Sequence, residues 1–453
     1  MHRLEGHMSL LRKRTEMSTS LDRIAELARE DGQRQFFSIA HLLTPEALHQ
    51  AFCSLRKEAS PGVDGVTYAQ YEANVRENVP RLHERLKGQR YRAQPLRRTY
   101  IPKEDGQKRP ISIPALEDKV VQRATVELLN AIYEQDFLPC SYGFRPGRSA
   151  QQALDEVGRI ICREGSSYVL EADIRGYFDA IVREPLMEMI ERRVGDGSLL
   201  RLIRKWIHVG VLEEGRLLHS EKGTGQGQVI SPLLANIYLH YVLDEWFEQE
   251  VKPRLRGRAY EVRYCDDFIL CFEHREDAER VLRVLPQRFA RYGLELHPEK
   301  TRLLEFGRHA AAQARRRGEG KAATFDFLGF THIGARSRRG RFTVHVRTRR
   351  TRVRRALQSI SQWCQRHRHD PVVEQCAALN ARLRGHYQYY GRPTNYRSLW
   401  QFYRNVRRIW KKWLNRRTRG KTFRWTDFDA LLARHPLLRP YIAHAWAGAG
   451  SRA

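Results

Sequence analysis

Apolar residues recur along this chain with two different periods, and the changes of period outline its elements. Thr44-Pro45-Glu46 reads as a helix start, with Thr as cap and Pro at the first helical position; Ala47, Leu48, Ala51, Phe52 and Leu55 follow at helical spacing. Residues 1–60 read as a helical unit that ends at the turn cluster Ser60-Pro61-Gly62-Val63-Asp64-Gly65. From 66 to 165 the pattern mixes short strands and helices. Two strands, 98–103 and 109–114, flank the turn Glu104-Asp105-Gly106, and a helix follows through Val120, Val121, Ala124, Leu128 and Ile132. Ser149 caps another helix that runs through Leu154 and Val157. From 166 to 330 strands and helices alternate. The strand Tyr168–Ala172 ends at Asp173, and Ser231-Pro232 opens a helix with Leu234, Ile237, Tyr238, Tyr241 and Trp246 on its apolar side. Glu261–Tyr264 and Phe268–Phe272 read as strands joined tightly at Asp266-Asp267. Residues 308–323 form a polar, basic insertion, and beyond 340 the pattern predicts helices. There Leu399, Phe402, Tyr403, Val406, Trp410 and Trp413 make one stripe, while Arg404, Arg407, Arg408, Lys411 and Lys412 occupy much of the rest. The mixture predicts an α+β chain without internal repeats.

Charge sharpens this outline. Of a net charge of +29 over 453 residues, +25 lies in residues 331–453, which hold 29 Lys and Arg against 4 Asp and Glu. A solvated surface needs no such bias, so the C-terminal quarter predicts a polyanionic partner, and the interleaved aromatic residues favour nucleic acid over a merely soluble tail. A hydrophobic content of 41% predicts that most of the chain folds, at a length that allows two to four domains. Seven cysteines without a CxxC pair predict reduced thiols and exclude the usual zinc-finger spacings. No run of 18 uncharged apolar residues and no cleavable leader is visible, so the expectation is a cytoplasmic protein without a membrane partner.

The chemistry rests on carboxylates. Nucleotidyl transfer requires acids from separate segments to meet around two magnesium ions, and strand ends and tight hairpins hold acids well because a sheet fixes their backbone. Asp173 ends an apolar strand, and Asp266 and Asp267 stand at the tip of an apolar hairpin. Taken alone, the Asp-Asp pair reads as a polar turn. Three other features change that. Phe178 follows Asp173 by five positions and is suited to sit under a nucleotide sugar, although alone it reads as a core Phe. Gly223-Thr224-Gly225-Gln226-Gly227-Gln228 precedes the helix at Ser231, and its glycines allow close backbone approach to a ligand. Lys103 and Arg109 flank a tight turn, spaced to clamp a triphosphate, although alone they read as surface charge.

Together these residues resemble the reverse transcriptase/maturase proteins encoded by bacterial group II introns, over roughly residues 20–430. The resemblance is carried by SYGFRPGRSAQQAL (141–154), ADIRGYFDAI (172–181), GQVISPLLANIYL (227–239), YCDD (264–267), FDFLGF (325–330) and LRGHYQYYG (383–391), in that order. It implies a right-hand polymerase. The expected parts are a helical N-terminal extension (1–60), fingers (61–165), a palm with an antiparallel sheet (166–335), a helical thumb or maturase region that grips RNA (336–428) and a short tail (429–453). It implies that Asp173 and Asp266 ligate two Mg²⁺ ions, with Mn²⁺ as a substitute, and that Asp267 supports them. Lys103 and Arg109 match the residues that hold the triphosphate, Phe178 the sugar gate, and Gln226 the residue beside nucleotide and template. The implied partners are an RNA template and primer, dNTPs, a group II intron RNA and a DNA target, with the protein a monomer or homodimer. Arg404, Arg407, Arg408, Lys411 and Lys412 are the expected RNA contacts.

Two motifs depart from the family pattern. Cys265 stands where many members have Ala, and Gly225-Gln226-Gly227-Gln228 stands where they often read Pro-Gln-Gly-Gly. The missing Cys pairs and short tail lead to the expectation that no zinc-dependent HNH nuclease is present. Alternatives remain: a mainly RNA-binding splicing factor, an RNA polymerase of the same architecture (disfavoured by a bulky Phe178), or a domesticated enzyme of phage defence, CRISPR or DNA repair.

Overall fold

The computed structural model describes residues 19–102, 108–218, 220, 222–320, 322–417 and 423–445, in an α+β arrangement of three sheets and surrounding helices. Helix α1 (Pro45–Ser54) begins where its cap predicts, and the Thr44 hydroxyl accepts the Ala47 N–H at 3.2 Å. It packs on α2 (Leu116–Asp136), and Leu48 and Phe52 share one core with Val120, Leu128 and Ile132. The core therefore continues across the turn at residues 60–65. Strands β1 (Leu96–Pro102) and β2 (Lys108–Ile113) pair antiparallel as expected, with Ile101 opposite Arg109. Strand β4 (Val211–Glu213) adds to β1 in parallel and β5 (Arg216–Leu218) closes that sheet. Helix α3 (Ala150–Arg163) starts from a reciprocal capping box between Ser149 and Gln152.

The second sheet positions the acids. Its antiparallel order is β6 (Ala259–Tyr264), β7 (Asp267–Phe272), β3 (Tyr168–Asp173), β8 (Arg302–Glu305). Alternation along β3 and β7 splits their side chains between two cores. Leu170, Ala172, Phe268 and Leu270 face the core built with α5 (Ser231–Leu239) and α6 (Arg275–Arg291). Val169, Ile269 and Cys271 face a second core built with α3 and the third sheet. Being covered on both faces explains why these strands read as nearly continuous apolar runs. Short α4 (Tyr177–Ala180) follows β3.

Three expectations change. Helix α5 has no polar side: Ser231, Ala235 and Asn236 are buried along with the predicted apolar residues, and its axis continues in wider turns through His240–Asp244 and Trp246–Val251. The polar insertion contains a helix, α7 (Ala310–Arg316), whose small residues Ala310 and Ala314 are buried. The chain beyond 340 is not helical at once. Strand β11 (Phe342–Thr348) joins β10 (Phe330–Arg336) and β9 (Thr324–Phe327) in the third sheet, and Val344 and Val346 fill the second core by period-two alternation. This sheet runs across the expected boundary at 335/336.

Helices begin at α8 (Arg350–Arg366), followed by α9 (Val372–Tyr390), α10 (Tyr396–Leu414) and α11 (Trp425–Arg434). The predicted stripe on α10 is buried in full and makes a third core with Leu379, Leu383 and Tyr387 of α9 and Phe428 of α11. The expected tail is part of this unit among the described residues: Leu437 is buried, and the Ala443 N–H bonds the Gly391 carbonyl at 2.9 Å.

Candidate active site

Asp173 and Asp267 stand directly opposite each other on the antiparallel pair β3 and β7. Asp266 sits beside them, because β6 and β7 are joined by a two-residue turn, Cys265-Asp266, with Tyr264 opposite Asp267. Such a tight hairpin needs a left-handed backbone, and Cys265 adopts it at φ +58°. Three carboxylates from two chain segments therefore gather at one end of the sheet.

Their electrostatics are those of crowded acids. Burial, then the charge of Asp266, pushes the Asp267 carboxyl up to about 7; the Leu328 N–H opposes this with a hydrogen bond of 3.3 Å. Burial also raises Asp266, as does the neighbouring Asp173, while Arg109 acts the other way. Asp173 pairs with the Lys300 ammonium at 2.8 Å, both side chains partly open to solvent, and its carbonyl accepts the His297 N–H at 2.8 Å. Hard oxygens from three acids, two of them raised first by burial and then by neighbouring charge, are donors of the type divalent cations take, although among the described residues the acid and thiol ligand atoms that close to within 4.8 Å of one another are those of Cys140, Asp244 and Glu261, not of this trio.

The glycine-rich loop ties strand β2, which carries Arg109, to helix α4, which carries Phe178, with Gln226 on the loop between them. The Ser112 N–H bonds the Gln226 carbonyl at 2.7 Å, which ties β2 to the loop. Gly227, at φ +113°, has its α-carbon so close to β2 that a Cβ would come within 2.6 Å of the Ser112 carbonyl oxygen; only glycine fits. On the loop's other side the Thr224 N–H bonds the Phe178 carbonyl at 3.0 Å. Phe178 is half-buried beside Tyr177, whose hydroxyl donates to the Ala235 carbonyl at 2.6 Å. Lys103 lies outside the described residues. Gln228, the departure in this loop, is a buried brace: its amide donates to the carbonyls of Thr224 and Trp206 at 2.8 and 3.1 Å and accepts from Gln122 at 2.8 Å.

Sequence reasoning missed Arg263, a fully buried guanidinium beneath the hairpin, and Lys300 on Asp173. Two charged residues, Glu261 and Arg263, in the strand that leads to the acid turn were the available signal for Arg263; nothing around Lys300 marks it. Among the five predicted RNA contacts the structure makes a division. Arg404, Arg408 and Lys412 are exposed. Arg407 is half-buried and pairs with Asp429 at 2.6 Å, and Lys411 donates to the Phe423 carbonyl at 2.6 Å beside the Trp425 ring. These two bind α11 and its approach.

The sequence pattern of the family described as reverse transcriptase (RNA-dependent DNA polymerase) matches residues 101–332, a stretch that contains all three acids and the loop. The chain belongs to this reverse transcriptase family. Protein YkfC of Escherichia coli K12 is 34% identical over 280 residues, covering 55% of this chain and 74% of that protein. The group II intron-encoded protein LtrA of Lactococcus lactis is 30% identical over 302 residues, covering 64% of this chain and 50% of that protein. Nuclear intron maturase 4 of Arabidopsis thaliana is 29% identical over 160 residues, covering 34% of this chain and 19% of its own. The chain thus spans half the length of the Lactococcus relative it matches. Among the described residues of this reverse transcriptase family member, no helix is long and apolar enough to cross a membrane.

Proposed function

We propose that the chain is an RNA-directed DNA polymerase, with residues 61–165 as fingers, 166–335 as palm, 336–428 as thumb or maturase region and 1–60 as N-terminal extension. The observation that carries this reading is the meeting of Asp173, Asp266 and Asp267 at one sheet end. The proposed reaction is attack of a primer 3′-hydroxyl on the α-phosphate of a dNTP, with release of pyrophosphate. Asp173 and Asp266 would hold two magnesium ions, or manganese in their place, supported by Asp267; when bound, these supply charge stabilisation on the reacting phosphate.

The chain's own groups do the rest. Arg109 and Lys103 neutralise the departing phosphates. The half-buried ring of Phe178, tied to the loop through its carbonyl, sits under the sugar and excludes a 2′-hydroxyl. Gln226, whose carbonyl is held by Ser112, lies beside the nucleotide and template. The basic helices bind RNA, most simply a group II intron in a maturase role; the Lactococcus relative is named as group II intron-encoded and the Arabidopsis relative as an intron maturase.

Primer extension on an RNA template tests the reading: Asp266→Ala abolishes dNTP incorporation, and full activity in that variant would refute it. Phe178→Ala lowers the preference for dNTP over rNTP by roughly tenfold or more, the scale of a lost contact worth about 1–3 kcal/mol; unchanged selectivity would remove the gate role. The exposed Arg404, Arg408 and Lys412 suit RNA binding under this reading and equally under a mainly RNA-binding splicing function. The latter predicts splicing that survives Asp266→Ala.

A further inference from the structure

Arg263 lies on β6, two residues before the turn that carries Asp266, and its side chain is sealed from solvent. A guanidinium has five N–H donors, and here there are five bonds. The Nε and one Nη2 bond reach the two carboxylate oxygens of Asp244 at 2.7 and 2.5 Å. The second Nη2 bond goes to the Ser141 hydroxyl at 2.9 Å. The Nη1 bonds go to the Asn236 side-chain oxygen at 3.0 Å and to the Cys265 carbonyl at 3.1 Å. Each acceptor stands on a different segment: the loop before α3, helix α5, its continuation, and the turn itself.

The last two bonds bear on the acids. Because a peptide unit is planar, fixing the Cys265 carbonyl fixes the plane that carries the Asp266 N–H and Cα, which, with the Asp266 φ held by the hairpin pairing, limits the direction in which its side chain leaves the turn. Asn236 extends the hold, since its amide donates to the Gly143 carbonyl at 2.6 Å. Gly143 is packed so closely behind the turn that a Cβ there would lie 2.4 Å from the Cys265 nitrogen. One guanidinium thus holds the turn from below and, through Asn236, the wall behind it.

Stability alone does not call for this arrangement. A buried ion pair is often matched or bettered by apolar residues of similar volume. The left-handed Cys265, by contrast, is a backbone state that persists only where surroundings impose it.

We propose that Arg263 is a positioning residue of the carboxylate site: its planar fork sets the turn geometry that aims Asp266 at the shared cation position with Asp173. The inference rests on the polymerase reading for its functional meaning, but metal binding tests it separately. Lysine keeps the charge and can reach Asp244, yet it is a point donor without the fork and cannot hold Cys265 and Asn236 together.

The test uses the full chain with Arg263→Lys and Asn236→Ala, the second leaving the Arg263–Asp244 pair in place. Mn²⁺ binding is followed by electron paramagnetic resonance, alongside dNTP incorporation kinetics, RNA affinity and thermal unfolding. In folded Arg263→Lys, Mn²⁺ affinity falls by about 10- to 100-fold, the scale for lost supports of metal ligands. kcat falls by about 10²-fold, as for a misplacement near 1 Å, while the dNTP KM and RNA affinity stay within about twofold. Asn236→Ala shows the same pattern at smaller size. Wild-type Mn²⁺ affinity and kcat in folded Arg263→Lys overturn the proposal. If Arg263→Lys does not fold, wild-type values in Asn236→Ala overturn it. If the unmodified protein incorporates no dNTP, the polymerase reading fails, while the Mn²⁺ measurements still decide the role of Arg263.

Discussion

The carboxylate hairpin and the basic helix α10 handle charge in opposite ways. At the hairpin, like charges are forced together in a partly desolvated setting: Asp267 is pushed up to about 7, and a buried Arg263 with all its donors engaged stands beneath the turn. On α10, the cations Arg404, Arg408 and Lys412 project into solvent from a helix anchored by its opposite, aromatic face. Geometry dominates the first region, and number of charges dominates the second. Substitutions at the hairpin should therefore act as switches, and those on α10 as increments.

The sharpest way to break this contrast is Asp266→Ala, expected to abolish dNTP incorporation, a loss of at least about 10³-fold, with RNA affinity unchanged; parallel loss of RNA binding would merge the two regions. Next in size is the apolar anchor of α10. Trp410 is fully buried, and its indole N–H bonds the Gln375 side-chain oxygen at 2.9 Å. Trp410→Ala should cost about 3–5 kcal/mol of stability, measured by denaturant unfolding.

A smaller effect concerns pH. The folded Asp267 carboxyl, near 7, lies above its ordinary 3.8. Its stabilising contribution is complete below about pH 4 and is lost as pH rises to about 7. Asp267→Asn should remove that slope, so the variant's Tm matches wild type at pH 4 and exceeds it at pH 8 without metal. Smallest per residue are the cations: changing Arg404, Arg408 and Lys412 to Gln should weaken RNA binding and lower the salt slope of log K by about 0.7 for each lost contact, leaving kcat unchanged. Arg407→Gln should also lower Tm, because Arg407 pairs with Asp429.

Much of this was legible from local pattern. The cap at Thr44, the capping box at Ser149, the hairpin joined at Asp266 and the aromatic stripe of α10 all follow from spacing and residue type, because each is specified by neighbours within a few positions. Strand β11 was hidden because arginines surround its alternation of Phe342, Val344 and Val346. The helix α7 was hidden because Ala310 and Ala314 bury too little apolar surface to stand out in a polar run.

By itself the sequence determined which residues carry the acids, the loop and the positive charge, and it implied the family that the comparisons bear out. Only the tertiary structure decided how they meet. Asp173 opposite Asp267 is a strand register, Gln226 against Ser112 joins segments more than a hundred positions apart, and Arg263 gathers four segments around one guanidinium. The division between exposed Arg408 and engaged Lys411 likewise depends on where α11 folds back. Local propensity acts over a few residues, whereas these contacts are set by how buried surfaces close on one another, which no window along the chain contains.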